Sequence, residues 1–179
     1  AHGFGVLGES GRGALAHFNI ASDRIIYMAT LGKAAGVAGA FVAGNETLIE
    51  TLIQNARTYI YTTATPPLLA HALLTSLQII AQEEWRRERL CVLIAQLRQG
   101  LAGSSWQLLP SATPIQPLLV GGNDEALALS VRLAEAGLLV PAIRPPTVPQ
   151  GTARLRISLS ADHEVADVTR LVQTLVAAA

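Results

Sequence analysis

Cysteine, lysine and aromatic residues are scarce in this chain of 179 amino acids. Cys91 is the only cysteine, which excludes an internal disulfide framework and is typical of a reducing compartment such as the cytoplasm. Lys33 is the only lysine among 13 basic residues, so every other basic side chain is an arginine. Its neighbours Gly32, Ala34 and Gly36 are small and apolar, which is an unusual setting for a surface lysine.

Net charge and long hydrophobic runs are also missing. Thirteen acidic residues balance the 13 basic ones, which argues against a generic nucleic-acid binder or a polybasic membrane-surface protein. No apolar run reaches the roughly 20 residues of a membrane helix. Half of the residues are hydrophobic and 15% are charged, which excludes a disordered chain. We find no secretory signal, and because Ala1 opens a glycine-rich loop without a preceding strand or helix, we expect further protein upstream.

The first half of the chain has the pattern of an α/β domain. Apolar runs predict two short strands at residues 24–30 and 36–42, with Lys33 in the turn between them. An amphipathic helix at 45–55 follows, capped by Asn45 or Thr47. Further predictions are an exposed turn at 58–65 and one long helix at 66–101. The charged middle of this helix predicts a domain boundary, with domains at residues 1–83 and 84–179.

The second half of the chain has the pattern of a small α+β unit. A helix capped by Asn123 or Asp124 should run to Ala136, and a last helix at 161–178 should be capped by Ser160, with Glu164 in the capping box. Apolar periodicity predicts strands at residues 115–120, 138–143 and 153–159.

Lys33 is the candidate with the most specific chemistry. A lysine held among apolar atoms loses the hydration that favours its charged form, so we expect its pKa to fall. A neutral amine can form a Schiff base with a carbonyl compound, and pyridoxal phosphate is the common cofactor that uses such a lysine as its anchor. The alternative is an ordinary lysine at the end of a strand.

Other polar side chains offer weaker signals. Thr30 could bind phosphate, although a threonine hydroxyl more often bonds its own backbone, and His2 could polarise a bound ring, although a lone loop histidine is more often exposed. Arg154 and Arg156 should share one face of a strand, and two guanidiniums on one face favour a carboxylate ligand, as does Arg144 at the start of a proline-rich loop. The alternative for all three is solvated surface charge. Cys91 is predicted to be a buried hydrophobe.

Four segments together resemble a known family. They are AHGFGVLG followed by GRG at residues 1–13, TLGKAAG at 30–36, YTTATPP at 61–67 and RPPTVPQGTARLRISLS at 144–160. On these segments the chain resembles the C-terminal half of an α-oxoamine synthase, a pyridoxal-phosphate enzyme of the aspartate-aminotransferase fold. The resemblance implies the C-terminal part of a large cofactor-binding α/β domain, followed by a small α+β domain.

Within this family the chain is most similar to the biotin-pathway member, and less to glycine C-acetyltransferase. That member condenses L-alanine with pimeloyl-CoA or a pimeloyl carrier protein, releases CO2 and CoA, and yields 8-amino-7-oxononanoate. The resemblance implies a cytoplasmic homodimer that acts on small molecules, without nucleic-acid or membrane partners.

The resemblance also implies a role for individual residues. Lys33 matches the Schiff-base lysine that then moves a proton, and His2 matches the histidine near the phenolic oxygen of the cofactor. Thr30 matches a hydroxyl on the phosphate, and Arg156 matches the arginine that holds a substrate carboxylate, with Arg144 near the same site. A further pair, Thr62 and Thr63, matches a segment that reaches the phosphate and acyl site of the neighbouring subunit.

Two other functions remain as alternatives: a folded interaction module without a cofactor, and an α/β domain with an unremarkable lysine. The family places the aspartate that pairs with the pyridine nitrogen just upstream of the motif at Ala1. We therefore expect the 179-residue chain by itself to bind pyridoxal phosphate weakly and to show no turnover.

Overall fold

The computed structural model describes residues 1–179, and the chain divides into two compact units, Ala1–Glu84 and Trp85–Ala179. Unit 1 contains a short 3-10 turn at Glu9–Gly11 and the elements α1 (Ala14–His17), β1 (Tyr27–Thr30), β2 (Ala40–Ala43), α2 (Glu46–Asn55) and α3 (Pro67–Gln82). Unit 2 contains α4 (Trp85–Gly100), β3 (Gln107–Leu108), β4 (Ile115–Gly121), α5 (Asn123–Glu135), β5 (Ala142–Ile143), β6 (Ala153–Ser158) and α6 (Val165–Val176).

Unit 1 is built around a two-stranded antiparallel hairpin. In it, β1 pairs with β2 so that Thr30 lies opposite Ala40, and the connection between the strands contains Lys33, as predicted. Both strands are shorter than expected, because residues 24–26 lie outside β1 and residues 36–39 belong to the loop that contains Lys33. Asn45 caps α2 by accepting a hydrogen bond from the backbone N–H of Leu48 at 2.8 Å, and Pro67 occupies the first turn of α3.

The predicted continuous helix at residues 66–101 is wrong. The first helix, α3, ends at Gln82, where Glu83 has non-helical backbone angles (φ −100°, ψ 67°), and α4 begins at Trp85. Two consecutive carboxylates, Glu83 and Glu84, stand at the break. Negative side chains are favourable at the N-terminal end of a helix dipole, so these two carboxylates favour the start of a new helix at Trp85.

Unit 2 is a four-stranded antiparallel sheet covered by helices. The strand order is β3-β4-β6-β5, so β6 is flanked by β4 and β5 and is not an edge strand. Leu155 and Ile157 of β6 point into the core, together with fully buried Leu97 of α4 and Leu133 of α5. Arg154 and Arg156 alternate with these residues, which confirms the predicted period-two pattern of this strand.

Three predicted boundaries in unit 2 were misplaced, and the first is the start of α5, where Gly122 and not Asn123 or Asp124 is the N-cap. The strand expected at 138–143 is reduced to β5, because the Leu138 N–H bonds Leu133 of the preceding helix and Pro141 has no N–H to donate. Glu164, not Ser160, is the N-cap of α6, and it forms a capping box with Asp167. Ser160 instead closes a turn, in which its N–H donates to Nδ1 of His163 at 3.0 Å.

Candidate functional site

Lys33 lies in the loop that joins β1 to β2, and its side chain is exposed. Its Nζ donates a hydrogen bond to Oγ1 of Thr30 at 3.0 Å. Leu31, Ala35 and Val37 of the same loop are buried, so the loop is anchored by these apolar residues while Lys33 projects outward. Because Lys33 is exposed, the apolar enclosure expected from its sequence neighbours is not formed by this chain.

Backbone hydrogen bonds give the Lys33 loop a defined shape. The Leu31 N–H bonds the Gly39 carbonyl at 2.9 Å, and the Val37 N–H bonds the Leu31 carbonyl at 3.1 Å. Ser76 of α3 donates from its hydroxyl to the Ala35 carbonyl at 2.8 Å, which ties the loop to the helix. Sequence reasoning missed Ser76, because α3 also contains Thr75 and nothing in the sequence distinguishes the two hydroxyls.

The surroundings of Lys33 leave open space for a ligand. A Cβ added at Gly32 or Gly36 would meet no atom within 4 Å. Gly36 also has a φ of 65°, in the left-handed region that favours glycine. An accessible primary amine beside a hydroxyl, with free volume around it, fits an aldehyde cofactor that forms a Schiff base.

The N-terminal loop that contains His2 packs beside the Lys33 loop. Gly5 has a φ of 77°, and a Cβ at this position would come within 2.6 Å of the Ala34 Cβ. The Phe4 ring contacts the Phe41 ring of β2, with centroids 5.8 Å apart. His2 itself is exposed. The glycine-rich spacing therefore brings the loop of His2 into van der Waals contact with the residue that follows Lys33.

Thr62 and Thr63 lie on an exposed turn after α2. The Thr62 hydroxyl donates to the Thr58 carbonyl at 3.1 Å, and Tyr61 before it has a φ of 63°. Neither threonine hydrogen-bonds to Lys33 or Thr30.

The predicted arginines belong to unit 2. Arg156 projects from β6, is exposed and makes no hydrogen bond or ion pair through its guanidinium. Arg144 is exposed directly after β5. Arg154 is half-buried, and its Nε and Nη2 donate to the carbonyl and the hydroxyl of Thr152, both at 3.0 Å. This bond pattern could not be predicted from the sequence, in which Arg154 and Arg156 occupy equivalent positions on one face of the strand.

Other features are separate from these residues. A cleft of about 310 Å³ in unit 2 is lined by residues that include Leu139, His163 and Arg170, and by none of the predicted site residues.

Cys91 is exposed, so its predicted burial is wrong; the apolar face of α4 that packs into the core is formed by Leu93 and Leu97. No group of three or more His, Cys, Asp or Glu side chains could hold a metal ion, and none of the helices meets the length and hydropathy of a membrane span.

Comparison with known proteins identifies relatives over nearly the whole chain. The family model described as aminotransferase class I and II matches residues 1–175. The 8-amino-7-oxononanoate synthase of Nitrosospira multiformis is 67% identical over 171 residues, which cover 96% of this chain and 43% of that protein. The chain spans about half the length of the curated relatives it matches, or less, with shares between 43% and 47% for the most similar ones.

Solved structures are similar to this chain over nearly its whole length as well. The 8-amino-7-oxononanoate synthase of Francisella tularensis is 33% identical, with a TM-score of 0.89 over 99% of this chain and 52% of that one. A serine palmitoyltransferase variant from S. paucimobilis, described with a bound PLP-myriocin aldimine, is 28% identical, with a TM-score of 0.90 over 99% of this chain and 45% of that one. The predicted fold class, the C-terminal part of an aminotransferase-like α/β protein, is confirmed.

Proposed function

The chain belongs to the class I and II aminotransferase family, and from this membership we propose that it is part of a pyridoxal-phosphate-dependent 8-amino-7-oxononanoate synthase. The proposed reaction condenses L-alanine with pimeloyl-CoA, or with a pimeloyl carrier protein, and releases CO2 and CoA. The most similar curated relatives all have this activity in their names at 60–67% identity. Another α-oxoamine synthase, such as glycine C-acetyltransferase, is the less supported alternative.

The observation that carries the proposal is the geometry around Lys33. It is the only lysine in the chain, its amine is exposed, and small residues leave space around it. The Thr30 hydroxyl lies 3.0 Å from Nζ, so it can orient the amine or a bound anionic group. An amine that is accessible and held at one place can act as an anchor and then as a base.

Each proposed role follows from the chemistry of the side chain. When bound, pyridoxal phosphate supplies an electron sink for the negative charge left at Cα of the amino acid. Lys33 anchors the cofactor and moves a proton at Cα, and Thr30 binds the phosphate. His2, on the loop that packs beside Ala34, hydrogen-bonds the cofactor ring.

Substrate binding is assigned to the arginines of unit 2. Arg156 is exposed and its donors are free, which is the state that a carboxylate ligand requires. A guanidinium can bind a carboxylate through two parallel hydrogen bonds, which fixes the orientation of the amino acid. Arg144 is the second anion ligand near the same carboxylate. A water-exposed threonine pair, Thr62 and Thr63, is assigned to the phosphate and acyl site of a second subunit in a cytoplasmic homodimer.

The test is product formation by the full-length protein. The purified enzyme should convert L-alanine and pimeloyl-CoA to 8-amino-7-oxononanoate, and Lys33→Ala should abolish both this turnover and the absorbance band of the bound cofactor. Arg132→Ala, at an exposed arginine on α5, is the matched control and should retain both. Turnover and absorbance that survive Lys33→Ala would contradict the proposal, and a cofactor-free protein would favour an interaction module.

A further inference from the structure

Arg154 and Arg156 share one face of β6, but their environments differ. The Arg156 guanidinium is exposed and without a partner. The Arg154 guanidinium is half-buried and lies against the start of its own strand, where Nε donates to the Thr152 carbonyl and Nη2 to the Thr152 hydroxyl. Two donors of Arg154 are thus committed to neutral oxygens of the protein.

The bonds of Arg154 continue through Thr152 into the proline-rich loop at residues 144–152. The Thr152 hydroxyl accepts from Arg154 and donates to the Pro149 carbonyl at 2.7 Å, and the Thr152 N–H bonds the same carbonyl at 3.2 Å. Near the other end of the loop, the Thr147 N–H bonds the Arg144 carbonyl at 3.0 Å. Arg154, Thr152 and Pro149 therefore form a continuous hydrogen-bonded chain.

The strand register places Arg154 at the base of this loop. Because β5 and β6 pair antiparallel with Ile143 opposite Arg154, the loop leaves the sheet and returns to it at this pair. Arg144 follows Ile143 on one arm, and Arg156 projects from the other arm. A side chain that fixes the returning arm also limits how far the two free guanidiniums can move apart.

We propose that Arg154 is a positioning residue, which braces the 144–152 loop through Thr152 so that Arg144 and Arg156 converge on one carboxylate. Arg154 does not touch the substrate itself. This inference rests on the proposed function for the role of Arg144 and Arg156, whereas the bracing of the loop can be measured without a substrate. An arginine suits this task because its planar fork matches two oxygens that lie a fixed distance apart, which a lysine cannot do.

Four variants of the full-length protein separate bracing from direct binding. Arg154→Lys keeps the charge but loses the fork, and Thr152→Val removes the bridging hydroxyl. Thr152→Ser is the conservative variant that retains this hydroxyl. Arg132→Lys, an exposed arginine on α5 in the same unit, is the matched control for a change from arginine to lysine.

Two readouts are expected to change together. The KM for L-alanine should rise roughly 10-fold in Arg154→Lys and less in Thr152→Val, with kcat within about 2-fold, as for the loss of hydrogen bonds that only orient a binding group. In the substrate-free protein, hydrogen exchange at the Thr147 and Thr152 amides should accelerate in both variants. Thr152→Ser and Arg132→Lys should match the wild type in both readouts.

Several outcomes would overturn the inference. A higher KM in Arg154→Lys, with unchanged amide exchange and a silent Thr152→Val, would make Arg154 a direct carboxylate ligand. Wild-type amide exchange and a wild-type KM for L-alanine in Arg154→Lys would mean that the guanidinium of Arg154 affects neither the loop nor substrate binding. If the wild-type enzyme does not use L-alanine at all, the proposed function fails. The amide-exchange data still decide whether Arg154 braces the loop. Unchanged exchange in Arg154→Lys and Thr152→Val would overturn the bracing itself.

Discussion

Thr30 is the side chain that contacts the amine of Lys33, because its hydroxyl accepts the only hydrogen bond that this amine donates. Thr30→Val keeps the shape of the residue but removes the hydroxyl. Loss of the proposed hydrogen bond from this hydroxyl to the cofactor phosphate, at about 1 kcal/mol, should weaken pyridoxal phosphate binding by about 5-fold in a spectroscopic titration of the full-length protein. Thr30→Ser is the control and should bind nearly as the wild type does. Equal affinity in Thr30→Val would remove Thr30 from the site.

Arg156 gives a second prediction for a single residue. Arg156→Ala should raise the KM for L-alanine steeply, because loss of a charge-assisted carboxylate pair costs about 2–5 kcal/mol when the site is desolvated. Cofactor absorbance should stay largely intact, and Arg132→Ala should leave the steady-state kinetics unchanged. An effect confined to the pimeloyl donor would assign Arg156 to the other substrate.

The residue identities could be predicted, but their environments could not. Lys33 stood out because it is the only lysine, and its place between two strands followed from the apolar runs on either side. Its exposure did not follow, because a loop can bury Leu31, Ala35 and Val37 and still turn the lysine outward. The difference between Arg154 and Arg156 depends on hydrogen bonds to Thr152, which periodicity does not encode.

At the level of the elements, the contact between the N-terminal loop and the Lys33 loop can be tested by a substitution at Gly5. Gly5→Ala adds a Cβ within 2.6 Å of the Ala34 Cβ at a φ of 77°. Overpacking of this kind should lower the free energy of unfolding by about 1–3 kcal/mol, with a further ~1–2 kcal/mol from the positive φ. Chemical denaturation measures the loss.

Gly32→Ala is the matched control for this substitution. A Cβ at Gly32 meets no atom within 4 Å, and Gly32 does not have a positive φ, so the free energy of unfolding should be nearly unchanged. Equal stabilities of the Gly5→Ala and Gly32→Ala proteins would show that the two loops are not packed as described.

Element types were easier to predict than element ends. The alternation of β6 and the Asn45 cap of α2 depend on neighbouring residues, and both are present as predicted. The break between α3 and α4 depends on the two carboxylates that follow Gln82, and the start of α6 at Val165 depends on competing local bonds. The Ser160 and His163 turn, for example, delays the helix because it satisfies the N–H of Ser160 before the helix begins.

At the scale of the whole molecule, the two units differ in how much core they contain. Unit 2 has a continuous cluster of fully buried leucines from α4, α5, α6 and the sheet, whereas the buried apolar residues of unit 1 are Ala29, Leu31, Ala35 and Val37. Leu97→Ala in unit 2 should cost about 2–5 kcal/mol of unfolding free energy, because it leaves a cavity in a closed core.

Leu139→Ala is the control for this prediction. Leu139 is 92% exposed, so its truncation should change the unfolding free energy by less than about 0.5 kcal/mol. Equal losses in Leu97→Ala and Leu139→Ala, measured by denaturant unfolding of the full-length protein, would contradict the described core of unit 2.

Chemical trapping shows directly whether Lys33 anchors the cofactor. The full-length protein, incubated with pyridoxal phosphate, is reduced with borohydride and digested, and the peptides are mapped by mass spectrometry. We expect a stoichiometric pyridoxyl label on Lys33, which is lost in Lys33→Ala and retained in Arg132→Ala. A label on a different lysine, with none on Lys33, would mean that Lys33 is not the cofactor anchor.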